Sequence, residues 1–343
     1  MIQLDGGYLE GGGQILRTGI ALSAVTRQAV RVFNIRKGRE KPGLRPQHLQ
    51  GIIAAAEICG ADVSGLHPGA LEVDFSPRKI KGGRYSIDTK TAGSVSLILQ
   101  TLIPMVFFAD SPFELIIRGG TAVPFSPTIE YLKKVGGYFL GLTGISLNIE
   151  IKRHGFYPGG GGEIFVKVEI GGVRNIEKVE RGAFEKIGLI AVASNHLKEA
   201  RVAERMISGF TRILSDVDAD FRYVDTRTPG CFIVAYACFA DSILGADELG
   251  RPGKRAELVG EGAARSLKKE IDSGAAVDSW MVDQIIPYMA LSTYLTDRES
   301  KVKIPLMTKH AETNIWVVEK FLPVEFTLQE NIVICRKKIS DDG

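Results

Sequence analysis

The chain has 343 residues, 45% of them hydrophobic and 24% charged, with a formal net charge of +3. That balance excludes wholesale disorder, and the length suits two domains better than one compact core. No apolar run approaches the roughly 18–20 residues that cross a bilayer, and the start Met1-Ile2-Gln3-Leu4-Asp5 lacks a signal-peptide pattern, so a cytoplasmic protein is expected.

From the N-terminus, a Gly-rich loop (Asp5 to Gly13, with Glu10 inside it) runs into a predicted helix over Gly13–Val25. Such a junction gathers free N–H groups and the positive end of a helix dipole, which suits phosphate; a tight structural turn explains the glycines equally well. Glu10 is able to hold a metal ion and Arg17 a phosphate oxygen. The loop is not GxxxxGK[ST]. A strand over Val30–Ile35 follows, inside a basic stretch: Arg31, Arg36, Lys37, Arg39, Lys41 and Arg45 against Glu40. That stretch reads either as a solvated loop or as an anion-facing one. A helix over Pro46–Cys59 and a strand over Leu71–Phe75 complete the first passage.

The same order recurs. A helix over Gly93–Phe108 leads to a strand over Phe113–Ile117, the loop Arg118-Gly119-Gly120-Thr121, a helix over Ser126–Leu140 and a strand over Ile145–Ile151. A helix over Ser279–Tyr294, a strand over Val302–Leu306, the loop Thr308-Lys309-His310, a helix over Glu312–Phe321 and a strand over Asn331–Cys335 form a third passage. Arg36 and Arg118 stand about 80 residues apart, yet the third equivalent lies near 310, so about 100 residues interrupt the third copy. Between them come a strand over Gly188–Ser194, a helix over Leu197–Leu214, strands near Asp220–Val224 and Phe232–Phe239, and a helix over Lys254–Ile271. The predicted fold class is therefore α/β (α+β). Residues 1–177 and 277–343 would form a large domain of three repeated βαβα-type units, helices packed on one face of four-stranded sheets. Residues 178–276 would form a small inserted α/β domain.

Two stretches remain. Arg153-His154-Gly155-Phe156-Tyr157-Pro158 runs into four glycines and Glu163. The alternating Ile164-Phe165-Val166-Lys167-Val168 after it argues for an ordered turn entering a strand rather than a flexible linker. In Thr308-Lys309-His310, both His310 and Lys309 are amines able to form a covalent adduct with a nucleotide, and the spacing does not choose between them. Cys59, Cys231, Cys238 and Cys335 contain no CxxC pair, so neither a zinc site nor a disulfide framework is expected.

Together these stretches resemble the RNA 3′-terminal phosphate cyclase family. The resemblance is carried by Glu10-Gly11-Gly12-Gly13-Gln14-Ile15-Leu16-Arg17, Lys41-Pro42-Gly43-Leu44 with Gln47-His48-Leu49, and Ala92-Gly93-Ser94 before Gln100. The His154-to-Gly161 signature, Asp283-Gln284 and Thr313-Asn314 continue it, in order, from residue 5 to about 323. Tyr8, Leu9 and Gly159 depart from the family's usual residues without removing a group that the chemistry needs.

The resemblance implies ATP-dependent conversion of an RNA 3′-phosphate into a 2′,3′-cyclic phosphate through a histidine–AMP adduct and an RNA-adenylate. His310 would be the nucleophile, with Glu10 and Asp283 as carboxylates for a divalent metal, magnesium or manganese. Gln100 and Trp280, Met281, Val282, Asp283 and Gln284 would contact ATP. Arg17, Arg36, Arg39, Gln47 and His48 would face phosphates of ATP or RNA. The expected partners are ATP and RNA with a 3′-terminal phosphate, without a membrane, and a homo-oligomer is compatible with the sequence. Lys198, Arg201, Arg205 and Arg212 would form either an RNA-facing surface or a solvated helix face. Two rival readings share the fold: a non-catalytic ribosome-assembly scaffold, and an enolpyruvyl transferase. Retention of His310, Glu10 and Asp283 favours the cyclase.

Overall fold

The strand Ile2–Asp5 pairs in parallel with Val30–Phe33, and the helix Gln14–Thr26 makes the crossover between them. After the helix Pro46–Cys59 the chain returns as an antiparallel pair, Asp62–Ser64 and Val73–Ser76. Numbered in chain order within the unit, the strands lie in the sheet as first, second, fourth, third. This is a computed structural model describing residues 1–338.

The same order repeats twice. In the second unit Gly83–Asp88 pairs in parallel with Phe113–Gly119, followed across the sheet by Gly162–Ile170 and Ile145–Arg153. In the third, the two-residue strand Glu177–Lys178 pairs in parallel with Ser300–Lys303, followed by Ile332–Lys337 and Val324–Gln329. Alternation decides which face is covered: Phe113, Leu115 and Ile117 are fully buried while their neighbours are half-buried. The inward residues of all three units join one hydrophobic core with the helices.

Between Glu177–Lys178 and the helix Ser279–Thr296 lies the inserted segment, with a sheet of its own. Its strand order is Val217–Val224, Phe184–Ser194, Cys231–Phe239, Ser242–Leu249. The helices Val202–Thr211 and Ala256–Asp272 cover one face through Met206, Phe210, Val259 and Leu267. The other face, with Val192, Phe232 and Val234, enters the core of the repeated units. Being covered on both sides explains the nearly unbroken apolar run of Cys231–Phe239.

Several boundaries differ from expectation for local reasons. The strand expected over Val30–Ile35 stops at Phe33, because Asn34 and Arg36 both take left-handed φ of 54°. The helix expected from Leu197 starts at Val202, because Arg201 at its cap is left-handed. Its basic residues are paired along the helix or to the neighbouring one: Arg201 with Glu204, Arg205 with Glu257 at 2.9 Å and Arg212 with Glu261 at 3.3 Å. The strand expected over Val302–Leu306 is Ser300–Lys303. The helix expected over Ser126–Leu140 begins after Thr128, whose hydroxyl accepts from the Tyr131 N–H. It is rewound as a π-helical turn over Leu132–Gly136 before continuing as Gly137–Leu142. The strand Ser242–Leu249 has no clean alternation and was not expected.

The glycine signature is an ordered turn. Gly155 N–H donates to the Thr121 hydroxyl at 3.0 Å and Thr121 N–H to the Gly155 carbonyl at 2.9 Å. Phe156 is buried against Phe232, and Thr228 donates to the Phe156 carbonyl, so the motif fastens the second unit to the inserted segment. A side chain on Gly160, itself left-handed, would overlap the backbone of Thr91 and Ala92.

Candidate active site

The helix Lys309–Phe321 starts three residues before the sequence suggested. Thr308 is its N-cap, with its hydroxyl accepting from the Ala311 N–H at 3.0 Å. His310 is thereby placed in the first turn, where the helix dipole disfavours a cation. Burial pushes the imidazole below its ordinary pKa. Glu10 opposes that shift, while Arg17 and Arg39 add to it, and burial wins. The ring is therefore neutral at pH 7. Its Nδ1 is buried and makes no hydrogen bond. Lys309 is exposed.

A polar seam ties that helix to two others. Gln14 Nε2 donates to the His310 carbonyl at 3.0 Å and approaches Asp283 Oδ2 at 3.4 Å. One turn along each helix, Thr18 donates to Asn314 Oδ1 at 2.7 Å, and Asn314 Nδ2 donates to the Asp283 carbonyl at 2.6 Å. Gln14, Thr18 and Asn314 are buried, so these bonds satisfy groups that would otherwise be costly. The Asp283 carboxyl is raised to about 7 by burial, against the opposing charge of Arg17. Arg17 is lowered to about 10 by burial, against the opposing charge of Asp283. For both groups desolvation outweighs mutual attraction, so the pair has unspent capacity for an anion at one partner and a cation at the other.

Beside this seam is a pocket. Gln14, Arg17 and Asp283 form its polar end; Ile103, Leu132, Leu140, Met281 and Tyr288 form its apolar walls. Gln100 and Gln284 also line it, with Gln100 Nε2 donating to Gln284 Oε1 at 3.1 Å and Gln284 Nε2 to the Trp280 carbonyl at 2.9 Å. Trp280 is exposed at the start of its helix. Val282, grouped with these residues in the sequence, faces away: it is fully buried in the core, one helical position (~100°) round from Met281.

A cationic cluster lies under the Gly-rich loop. Arg39 Nη2 reaches the Glu10 carbonyl at 3.2 Å and Oε2 at 3.4 Å. His48 is buried, and a side chain on Gly13 would overlap its ring. Burial drives the His48 pKa well down, and Arg17, Arg36 and Arg45 add to the effect. His48 Nδ1 accepts from the Arg45 N–H at 3.3 Å, closing the start of the helix Pro46–Cys59. Arg36 works on its own loop, donating to the carbonyls of Lys41 at 2.7 Å and Gly43 at 3.0 Å. Its pKa is lowered by burial and by the charges of Arg45 and Arg39. Gln47 is half-buried, its Cβ beside Gly93. Mutual repulsion among Arg36, Arg39 and Arg45 marks a place where a polyanion would be stabilised.

Among the described residues no group of three or more His, Cys, Asp or Glu side chains is placed to hold a metal ion. Glu10 is paired with Arg39, while Asp283 lines the pocket; both are hard oxygen donors, the chemistry that magnesium takes when water and phosphates complete its shell. They do not fit an all-protein cage. Among the described residues no helix is long and apolar enough to cross a membrane.

Sequence reasoning missed Asp278 and Tyr131. Asp278 is the N-cap of the helix carrying Met281, Asp283 and Gln284, its carboxylate accepting from Trp280 N–H at 3.1 Å and Met281 N–H at 3.0 Å. An acid just before a predicted helix was the available signal. Nothing in the sequence announces that the Tyr131 hydroxyl donates to it at 2.7 Å.

The sequence profile described as RNA 3′-terminal phosphate cyclase matches residues 8–328. Proteins named RNA 3′-terminal phosphate cyclase are similar along nearly their whole length. That of Methanosarcina mazei is 41% identical over 96% of this chain and 97% of its own. That of Ignicoccus hospitalis is 43% identical over 94% and 93%, and that of Pyrococcus abyssi 41% over 97% and 96%.

Proposed function

The chain belongs to the RNA 3′-terminal phosphate cyclase family, and from that premise we propose that it uses ATP to convert an RNA 3′-terminal phosphate into a 2′,3′-cyclic phosphodiester through an adenylated His310. The observation that supports the reading is the pair of bonds from Gln14 to the His310 carbonyl and to Asp283, which ties the turn bearing His310 to two residues that line a pocket with apolar walls.

In the first step the neutral His310 ring attacks the α-phosphorus of ATP. A P–N bond forms, the α–β P–O bond breaks, and pyrophosphate leaves. A cationic ring would have no lone pair for this, so burial and the arginines keep His310 ready. The apolar walls take the adenine, and Gln100 and Gln284 present amides to its edge. Arg17, Arg39 and the neighbouring Arg36 and Arg45 stabilise phosphate charge as it redistributes. A divalent ion held by Glu10 and Asp283, magnesium or manganese, would supply further positive charge at the phosphates.

In the second step an oxygen of the RNA 3′-phosphate attacks the adenylate phosphorus; the P–N bond breaks and His310 returns to its free form. In the third the RNA 2′-hydroxyl attacks the activated 3′-phosphorus and its proton passes to water; an O–P bond forms, the anhydride P–O bond breaks, AMP leaves, and the cyclic ester closes. Splitting the activation in this way replaces one difficult displacement with easier ones.

The test is ATP labelled at the α-phosphorus, mixed with the protein and a divalent metal and then denatured. Acid-labile label on the protein, absent from His310→Ala and present in Lys309→Ala, is the expected result. The reverse pattern would make Lys309 the nucleophile. No label with ATP still bound would favour a binding scaffold on the same fold.

A further inference from the structure

One turn of helix, Ile129–Tyr131, is where the inserted segment meets the wall of the pocket. Thr128 N–H at its cap donates to Asp247 Oδ2 at 2.8 Å. Arg222 Nη1 lies 3.4 Å from Glu130 Oε1. The Tyr131 hydroxyl donates to Asp278 Oδ1 at 2.7 Å, and Asp278 Oδ2 accepts the Gly245 N–H at 2.9 Å. Asp247, Arg222 and Gly245 all belong to strands of the inserted sheet. The approach is tight: a Cβ on Gly245 would sit 2.6 Å from Val135 and 2.8 Å from the Tyr131 ring.

The helix continuing from that turn carries Leu132, Gly136 and Leu140 into the pocket, and Leu132–Gly136 is the π-helical turn. Single π turns of this kind are frequent at functional sites. The helix capped by Asp278 carries Met281, Asp283 and Gln284 into the same pocket. Asp278 is fully buried, and its side chain accepts from Tyr131, Trp280, Met281 and Gly245. Removing any one leaves a buried group unsatisfied. One carboxylate therefore fixes the two walls against each other and both against the inserted sheet.

We propose that the inserted segment braces the nucleotide pocket, and that Tyr131 and Asp278 are positioning residues that set the fit of the purine through the bond to Gly245. The proposal rests on the reading that this pocket holds ATP. Among the described residues no hydrogen bond joins Tyr131 or Asp278 to His310 or Arg17, so loosening the brace affects recognition of the base more than transfer of the nucleotide. A base held between two walls is discriminated by their separation, and a small displacement admits the wrong purine.

The experiment uses the full chain and Tyr131→Phe, which keeps the ring and removes the hydroxyl, alongside Asp278→Asn. Transfer of labelled nucleotide to the protein is measured against ATP and GTP concentration, with calorimetric binding of each nucleotide in parallel. The expected result is a KM for ATP raised about tenfold, a kcat within about threefold and a narrowed preference for ATP over GTP. Arg205→Gln, which breaks a pair inside the inserted segment, is the control and leaves all three unchanged. If Asp278→Asn fails to fold, Tyr131→Phe carries the test alone. A lower melting temperature with unchanged KM and unchanged purine preference overturns the brace while leaving the ATP reading intact. A wild-type protein that binds no ATP overturns both.

Discussion

The side chain of Gln14 holds the main chain of His310: Nε2 donates to that carbonyl at 3.0 Å, across nearly the whole length of the polypeptide. A side-chain contact can be lost by a rotamer change, but a bond to the carbonyl fixes the helix turn from which the imidazole projects. The amide also reaches Asp283, so one side chain registers the first and third units against each other.

Gln14→Ala is expected to slow adenylation of His310 more than it lowers stability. The loss of a neutral hydrogen bond costs about 1 kcal/mol of folding free energy. Misplacing a nucleophile costs on the order of 10²-fold in rate. Single-turnover labelling beside a urea titration separates the two; equal losses in both would make Gln14 a purely structural residue.

The acid limb of the adenylation rate is expected below pH 6.5, because burial holds the His310 pKa under its ordinary value. Arg39 contributes to that depression, so Arg39→Gln should move the limb upward in pH. A limb that stays in place, or moves down, would show that Arg39 does not act on the His310 charge.

His154 provides a pH dependence of stability distant from this chemistry. Its ring is buried between Thr121, Glu130 and Phe232, and burial, with the charge of Arg222, lowers it to about 4. The folded state therefore binds fewer protons than the unfolded state, whose histidine titrates near 6.5. Stability from His154 is present above pH 6.5 and is lost as pH falls towards 4, by about 3 kcal/mol at most. Urea unfolding of the wild type and His154→Gln should show a difference that is flat above pH 7 and shrinks steadily between pH 6.5 and 4. A constant difference throughout would refute the assignment.

Gly13→Ala should destabilise the fold by about 1–3 kcal/mol, because the added methyl overlaps the buried His48 ring. Gly13→Ala in a His48→Ala background should cost much less. Denaturant midpoints for the four proteins of this cycle would show it; simple additivity would mean that the loop relaxes away from His48.

Much of this was readable in the sequence because repetition is a strong signal. Val30–Phe33, Phe113–Gly119 and Ser300–Lys303 hold equivalent places in their sheets, and the displaced third copy disclosed the inserted segment. The helix Pro46–Cys59 was legible to the residue, since Pro46 and Gly60 mark its ends. Ser242–Leu249 was not, because glycine and acids break its alternation and only neighbouring strands make it one. In the site, Gln100, Gln284, Met281 and Asp283 meet at one pocket, whereas Val282 goes to the core by the angular step of its helix. Thr18, Asn314 and Tyr131 were invisible as partners, because a hydrogen bond between distant segments leaves no local pattern.

The two-residue strand Glu177–Lys178 has a consequence for the life of the chain before it is complete. Its partner, Lys301–Val302, is made only after the whole inserted segment. Closing so long a loop costs little more than a short one, since each doubling adds only about 0.6 kcal/mol. The delay is in time. During synthesis the first two units can collapse early, while Glu177–Lys178 waits as an unpaired edge until the inserted segment has emerged and folded. The helix bearing His310 comes later still. A growing chain thus lacks Asn314 and His310 until the helix Lys309–Phe321 arrives, and a product cut before that helix has an incomplete pocket by construction.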